Sequence, residues 1–269
     1  MEVILNRDFI AKHWYASVYE QFENQTHDVE FLLKVLREQT DGKPQNILEV
    51  ACGGGRICVP LAQAGHTVTG FDADEQMLLR CYRRMRGLKN IRCYQADAVS
   101  EDWGSGFDVV VLAGNILINI QTETAYQDAQ RLFIAKAAKA LRTGGHLYLD
   151  FDLHYDPSAV FHDAGEGSFF EGTDELGTYG KIVFYGSVYN PVTQICAGVN
   201  HWELTANNGE KLIIPNRWYK HIPTQQQVYD WLAEAGFSIE RTYLNFTDKP
   251  LPVPIPKETY RATIWARKD

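Results

Sequence analysis

The sequence lacks a run that could cross a bilayer. Its longest uninterrupted apolar stretch is five residues, Val109 to Ala113, where a membrane-spanning helix needs about eighteen. It is also short of positive charge. Lysine and arginine number 26 against 34 aspartates and glutamates, a net charge of -8, which repels nucleic-acid phosphates and anionic lipid surfaces. No targeting segment is read at the start, because Glu2, Arg7, Asp8 and Lys12 interrupt the apolar core that a secretory signal requires. No C-x-x-C pair occurs. The five cysteines (Cys52, Cys58, Cys81, Cys93, Cys196) are odd in number and set among apolar neighbours, the pattern of reduced packing residues rather than disulfides or zinc ligands. These absences predict a cytoplasmic protein with no metal, no membrane and no nucleic-acid partner. What is present is ordinary globular composition, 45% hydrophobic and 22% charged over 269 residues, enough chain for one or two domains.

Between residues 46 and 151 short apolar runs alternate with longer helical stretches. The runs are Asn46 to Val50, Thr67 to Phe71, Ile91 to Tyr94, Phe107 to Leu112 and His146 to Phe151, the rhythm of a parallel sheet covered by helices. An alanine-rich helix is expected from Glu123 to Leu141, stopped by Gly144-Gly145, and Asp74 can cap another running towards Met85. From Tyr179 to Lys220 the texture turns β-branched and aromatic. Lys181 to Tyr189, Thr193 to Leu204 and Lys211 to Tyr219 are separated by Asn190-Pro191 and Asn207-Asn208-Gly209, which predicts an antiparallel meander. Thr224 and Gln227 form a capping box for a helix that ends at Gly236. Two closing strands are expected at Phe237 to Phe246 and Tyr260 to Arg267. Four prolines between Lys249 and Lys257 require an extended loop there.

The stretch from Asn46 to Leu61 reads as strand, glycine turn (Gly53, Gly54, Gly55), helix. Glycines after a first strand let backbone approach a ligand closely. The dinucleotide fingerprint G-x-G-x-x-G would need its third glycine at position 58, which is Cys58, so a pyrophosphate is poorly served. Glu49, just before the turn, would repel a pyrophosphate but could accept from an ammonium through water or backbone. Asp72 lies 17 residues beyond Gly55 at the end of the second strand, where a carboxylate can accept from ribose hydroxyls. Asp97, after the third strand, could accept from an adenine amino group, or serve as a plain turn residue. The basic cluster Arg80, Arg83, Arg84, Arg86, Lys89 and Arg92 reads as a solvated helix face.

Glu49-Val50-Ala51-Cys52-Gly53-Gly54-Gly55, Asp72, Ala96-Asp97-Ala98 and Gly114-Asn115 together resemble class I S-adenosylmethionine-dependent methyltransferases. The resemblance resumes at Trp231 to Phe237. It implies a doubly wound, Rossmann-like α/β fold with a mostly parallel seven-stranded sheet and an antiparallel β-rich insertion. The implied division is 1–45 as an N-terminal helical cap, 46–159 with 221–269 as the cofactor-binding domain, and 160–220 as the insertion covering the acceptor site. The cofactor would be S-adenosylmethionine, leaving as S-adenosylhomocysteine. Its contacts would be Glu49, Gly53, Gly55 and Arg56 around the turn, Asp72 and Ala73 at the ribose, and Asp97 and Ala98 at the adenine. Ala51 and Asn115 would line the methionine side, and Met77 could flank the adenine. DNA amino-methyltransferases share an Asn/Asp-Pro-Pro-aromatic run after the fourth strand, and here Asn115 is followed by Ile116-Leu117-Ile118.

Methyl transfer from a sulfonium is an in-line displacement with an activated leaving group, so positioning supplies most of the catalysis, on the order of 7 to 11 kcal/mol. A dedicated base is needed only for a protonated or poorly acidic acceptor. Candidates for acceptor contact are His154 with neighbouring Tyr155, Tyr15 and Tyr19, and Arg217; each can equally be a packing or rim residue. The insertion resembles those of nucleotide-sugar amino-methyltransferases and glycine N-methyltransferases, and could instead be a dimerisation sheet. The sequence therefore predicts transfer to a small polar acceptor, more readily at nitrogen than oxygen, by a monomer or homodimer. Two other classes stay open: a nicotinamide or flavin oxidoreductase on the same sheet, and a non-catalytic protein that only binds the donor.

Overall fold

The computed structural model describes residues 7–120, 122, 125–162 and 165–269. Glu2, Glu123 at the expected start of the alanine-rich helix, and 163–164 within the expected insertion lie outside them. No helix among the described residues is long and apolar enough to cross a membrane. The chain divides into two compact units, Thr26–Tyr155 with Pro223–Asp269, and Met1–Gln25 with Asp156–Ile222.

The larger unit is built on a seven-stranded sheet. In chain order its strands are β1 (Asn46–Val50), β2 (Thr67–Asp72), β3 (Ile91–Gln95), β4 (Phe107–Leu112), β5 (Leu141–Asp152), β10 (Phe237–Leu244) and β11 (Arg261–Lys268). Their spatial order is β10-β11-β5-β4-β1-β2-β3, with β11 antiparallel to both its neighbours and the remaining pairs parallel. β1 and β4 carry apolar residues on both faces, Ile47, Leu48 and Val50 in one and Val109, Val110 and Val111 in the other, because both faces of a parallel sheet are covered. On one face Leu48, Val50, Val110 and Leu112 pack under α5 (Tyr126–Ala140) and α7 (Gln225–Glu234). On the other, Ile47, Val109 and Val111 pack under α2 (His27–Gln39), α3 (Cys58–Gln63) and α4 (Glu75–Arg84). Thr224 and Gln227 make the expected capping box on α7.

One boundary differs from expectation. α5 stops at Ala140, not at the glycines, and β5 begins at once. Leu141 pairs with Phe107 and His146 with Val109, so residues 142–145 are accommodated by an irregularity in the β4–β5 ladder, where Gly144 sits at φ +73°. The glycines therefore reshape a strand instead of ending a helix.

The smaller unit contains α1 (Arg7–Phe22), a one-turn helix α6 (Pro157–Val160) and an antiparallel sheet in the order β6 (Gly167–Thr173), β7 (Tyr179–Asn190), β8 (Ile195–Thr205), β9 (Lys211–His221). The three expected meander strands are β7 to β9; β6 is additional, its Gly167 and Gly172 having masked the β pattern. Ile10, Trp14 and Val18 of α1 pack against Ile182, Leu204 and Leu212 of this sheet. Trp14 is fully buried and donates its indole N–H to the Gly172 carbonyl at 3.0 Å.

Candidate functional site

The parallel strands end together along one edge, where the loops after β1, β2 and β3 carry the expected cofactor residues. After β1 the chain turns through Ala51 (φ +57°), Gly53 (φ +52°) and Gly55 (φ +83°), and the Gly55 amide donates to the Cys52 carbonyl at 2.9 Å. A non-glycine residue in the left-handed region is strained by about 1–2 kcal/mol, and here it falls at Ala51. Asp72 ties this turn to the next. One carboxylate oxygen accepts from the Gly53 amide and the other from the Asp74 amide, both at 2.8 Å. Asp74 in turn caps α4, accepting from Gln76 and Met77 at 2.7 and 3.1 Å. Burial pushes the Asp72 carboxyl above its ordinary range, and the backbone amides hold it back.

After β3, Asp97 accepts from the Val99 amide at 2.7 Å, so it is a turn residue, and it is exposed. The turn is clamped from α5. The Lys136 ammonium donates to the carbonyls of Ala98, Val99 and Glu101 at 2.9, 2.6 and 2.7 Å. Partial burial lowers the Lys136 pKa, and the facing carboxylates, Asp97 first among them, pull it back up.

A cavity of about 270 Å³ opens at this edge. Five expected residues line it: Ala51, Asp72, Ala73, Asp97 and Ala98. The sequence reading missed its apolar wall, Phe71, Ile116, Ile120 and Phe133. Ile116 and Ile120 were readable as an apolar run after Asn115; Phe133 lies on α5 and carried no signal. Carboxylates on one side and flat apolar surface on the other suit a nucleoside, whose ribose is polar and whose base is planar.

Asn115 sits at φ +58°, 6% exposed, in a network behind this wall. Its amide donates to Asp152 at 2.7 Å and its side-chain oxygen accepts from the Asp152 backbone at 3.0 Å. Asp150 accepts from the Asn115 and Gly114 backbone amides at 2.8 and 3.1 Å. Arg261 donates to Asp152. Burial raises the Asp150 carboxyl to about 6.

Gly53, Gly55, Arg56, Met77 and Asn115 frame the loops without lining the cavity. Arg56 pairs with Asp28 at 2.6 Å. Met77 is buried at the start of α4. Glu49 is 4% exposed and faces the thiols of the α3/α4 side, and burial pushes its carboxyl well up. His154 is half-buried just beyond β5, and neighbouring Tyr155 donates to the Ile255 carbonyl at 3.1 Å. In the smaller unit Tyr15 stacks on Trp202 at 5.1 Å and lies 5.9 Å from Tyr19, while Arg217 is exposed on β9. Arg80 departs from the solvated-face reading, being 4% exposed. All five cysteines are free and buried, as packing residues should be, and Cys52, Cys58, Cys81 and Cys93 converge in one cluster.

Residues 47–145 match the family described as "Methyltransferase domain". A Geobacillus sp. (strain WCH70) protein described as a methyltransferase is 26% identical over 88% of this chain and 90% of its own length. Glycine N-methyltransferase of Rattus norvegicus is 28% identical over 39% of each chain, so the present chain spans well under half of that relative. Ubiquinone biosynthesis O-methyltransferases match a similar share. Among solved structures, an amino pentose methyltransferase from Micromonospora echinaspora with S-adenosylmethionine bound superposes with a TM-score of 0.64 at 17% identity, covering all of both chains. Fold and sequence agree: residues 47–145 carry a methyltransferase domain on a class I type sheet, and S-adenosylmethionine is the methyl donor.

Proposed function

We propose that this methyltransferase acts on a small polar acceptor at an amine nitrogen. The observation that carries the donor's placement is the cavity bordered by Asp72 and Asp97 and backed by Ile116, Ile120 and Phe133. Asp72 keeps lone pairs for ribose hydroxyls after accepting its two amides, Asp97 and Ala98 face the adenine edge, and the apolar wall packs on the ring. Ala51 and the glycine turn lie towards the methionine end. The nitrogen assignment is supported by the named chemistry of the rat glycine N-methyltransferase.

The bound donor supplies a methyl group already activated by its sulfonium. With Asp72, Asp97 and the glycine turn holding the donor, an uncharged acceptor nitrogen would take the methyl group as the C–S electron pair stays on sulfur, and would then release a proton. Holding nitrogen, carbon and sulfur in line is what the protein must do. The experiment is calorimetry with S-adenosylmethionine and S-adenosylhomocysteine, followed by mass-spectrometric product detection across panels of small amines, hydroxyl compounds and carboxylates. Methylated amines are expected. Turnover confined to hydroxyl or carboxylate acceptors would overturn the nitrogen assignment, and donor binding lost on no change at Asp72 or Asp97 would overturn the placement.

A further inference from the structure

Four of the five cysteines reach one point from four parts of the larger unit. Cys52 lies in the turn after β1, Cys58 opens α3, Cys81 is on α4 and Cys93 on β3. All are buried, and their sulfurs lie within 4.8 Å of one another. Cys58 is 3.9 Å from both Cys81 and Cys93, and Cys81 is 3.3 Å from Cys93. Four sulfurs about 2.3 Å from a central ion in a regular tetrahedron stand about 3.8 Å apart. The observed separations straddle that value, and a cluster this compact leaves no room for the inorganic sulfides of an iron–sulfur centre.

The backbone has been hollowed out around the same point. A Cβ on Gly55 would stand 2.9 Å from the Cys81 sulfur, and one on Gly70 would stand 3.0 Å from Cys52 and 3.3 Å from Cys93. The Glu49 carboxyl is buried beside the thiols, against Cys58. Arg84 donates to the Gly54 carbonyl at 2.9 Å and puts positive charge beside Cys81.

We propose that Cys52, Cys58, Cys81 and Cys93 form a tetrathiolate site for one zinc ion, which fixes the cofactor-binding glycine turn to β3 and α4. All-sulfur tetrahedral donors select a soft divalent ion over magnesium or calcium. With all four positions filled by protein the site is closed, hence structural and not catalytic. Binding exchanges four thiol protons for one Zn²⁺ and leaves a dianionic centre, which Arg84 offsets. The ligands Cys52 and Cys58 bracket Gly53 to Gly55, so the ion holds both ends of the turn that Asp72 grips from the other side. The proposal does not depend on which acceptor is methylated.

The test uses the full chain purified without chelators. Elemental analysis is expected to give about one zinc per chain, and thiol modification with a mercurial should release it stoichiometrically to a chromogenic indicator. Refolding with Co²⁺ in place of zinc should give the intense visible d–d bands of a tetrahedral thiolate site. C81S and C93S should each lower retained zinc at least tenfold, and C196S, which alters the one cysteine outside the cluster, should leave it unchanged. If C81S or C93S fails to fold, the wild-type cobalt spectrum still decides. A folded wild-type chain with five titratable thiols, no retained zinc and no cobalt bands would show packed free thiols only and overturn the proposal. A thiol count of three under denaturing, non-reducing conditions would show a disulfide instead and overturn it equally.

Discussion

The carboxylate of Asp72 accepts the backbone amide of Gly53 at 2.8 Å, so the acidic end of β2 builds the glycine turn at the end of β1 as well as facing the cavity. Removing it does two things at once. Asp72→Ala leaves the Gly53 and Asp74 amides without their acceptor and deletes the ribose contact proposed above. Hydrogen bonds to a charged group are worth about 1.5–3 kcal/mol each, so affinity for S-adenosylhomocysteine should fall at least about a hundredfold, by roughly 2.7 kcal/mol. Asp72→Asn keeps an acceptor for one amide and should lose less. Calorimetry on both variants checks this; unchanged affinity in the alanine variant would move the ribose elsewhere.

Lys136 gathers three carbonyls of the turn that follows Asp97. A compact ammonium can meet three acceptors converging from one side, whereas a planar guanidinium cannot reproduce that geometry. Lys136→Met should therefore loosen the turn, raising hydrogen exchange at Val99 and Glu101 and weakening S-adenosylhomocysteine binding about tenfold, near 1.4 kcal/mol. Lys136→Arg should rescue neither measurement fully. An arginine variant indistinguishable from wild type would mean that charge alone, not convergence on the carbonyls, holds the turn.

How much of this was readable in the sequence follows physical lines. The parallel core was legible because its strands are local apolar runs separated by capped helices: Asn46–Val50 and Phe107–Leu112 fall where periodicity places them. Asp72 and Asp97 were legible because each follows a strand of that pattern. Lys136 was not, since it acts on a turn more than thirty residues away and a lysine on a helix gives no local sign of its acceptors. The thiol cluster was hidden for the same reason: its members are separated by 5, 22 and 11 residues in the unaligned chain, and only the β1-β2-β3 register brings them together. Asp150 was invisible because its peculiarity is burial, which depends on Asn115 and Arg261 being folded against it.

Gly55 is constrained twice, by φ +83° and by a Cβ position 2.9 Å from the Cys81 sulfur and 3.1 Å from Val59. Gly55→Ala should destabilise the larger unit by about 1–3 kcal/mol from backbone strain alone, and more from the clash. By contrast Gly53, at φ +52°, has no atom within 4 Å of its Cβ position, so Gly53→Ala carries only the strain. Thermal melts of the two variants should rank Gly55→Ala below Gly53→Ala; the reverse order would mean the space around Cys81 is not tight.

Asp150 gives the structure a pH dependence of definite sign. Its carboxyl is raised from 3.8 to about 6, chiefly by burial, with the Asn115 and Gly114 amides opposing. Between pH 4 and 6 the folded chain therefore keeps a proton at this position that the unfolded chain has released. Stability falls with rising pH wherever the folded state binds more protons, so ionising Asp150 costs about 3 kcal/mol across that window. His221 in the smaller unit works in the opposite direction, its imidazole being pushed down to about 4 by burial, so the raw profile of the protein mixes the two. The comparison that isolates Asp150 is wild type against D150N at each pH. An asparagine oxygen can take only one of the two backbone amides, which adds a constant loss independent of pH. The stability of wild type relative to D150N should thus be greatest near pH 4 and decline by up to about 3 kcal/mol by pH 7, measured by denaturant unfolding of the larger unit. A flat difference would mean that Asp150 is ionised throughout, with Arg261 and the Gly114–Asn115 amides fully offsetting its burial.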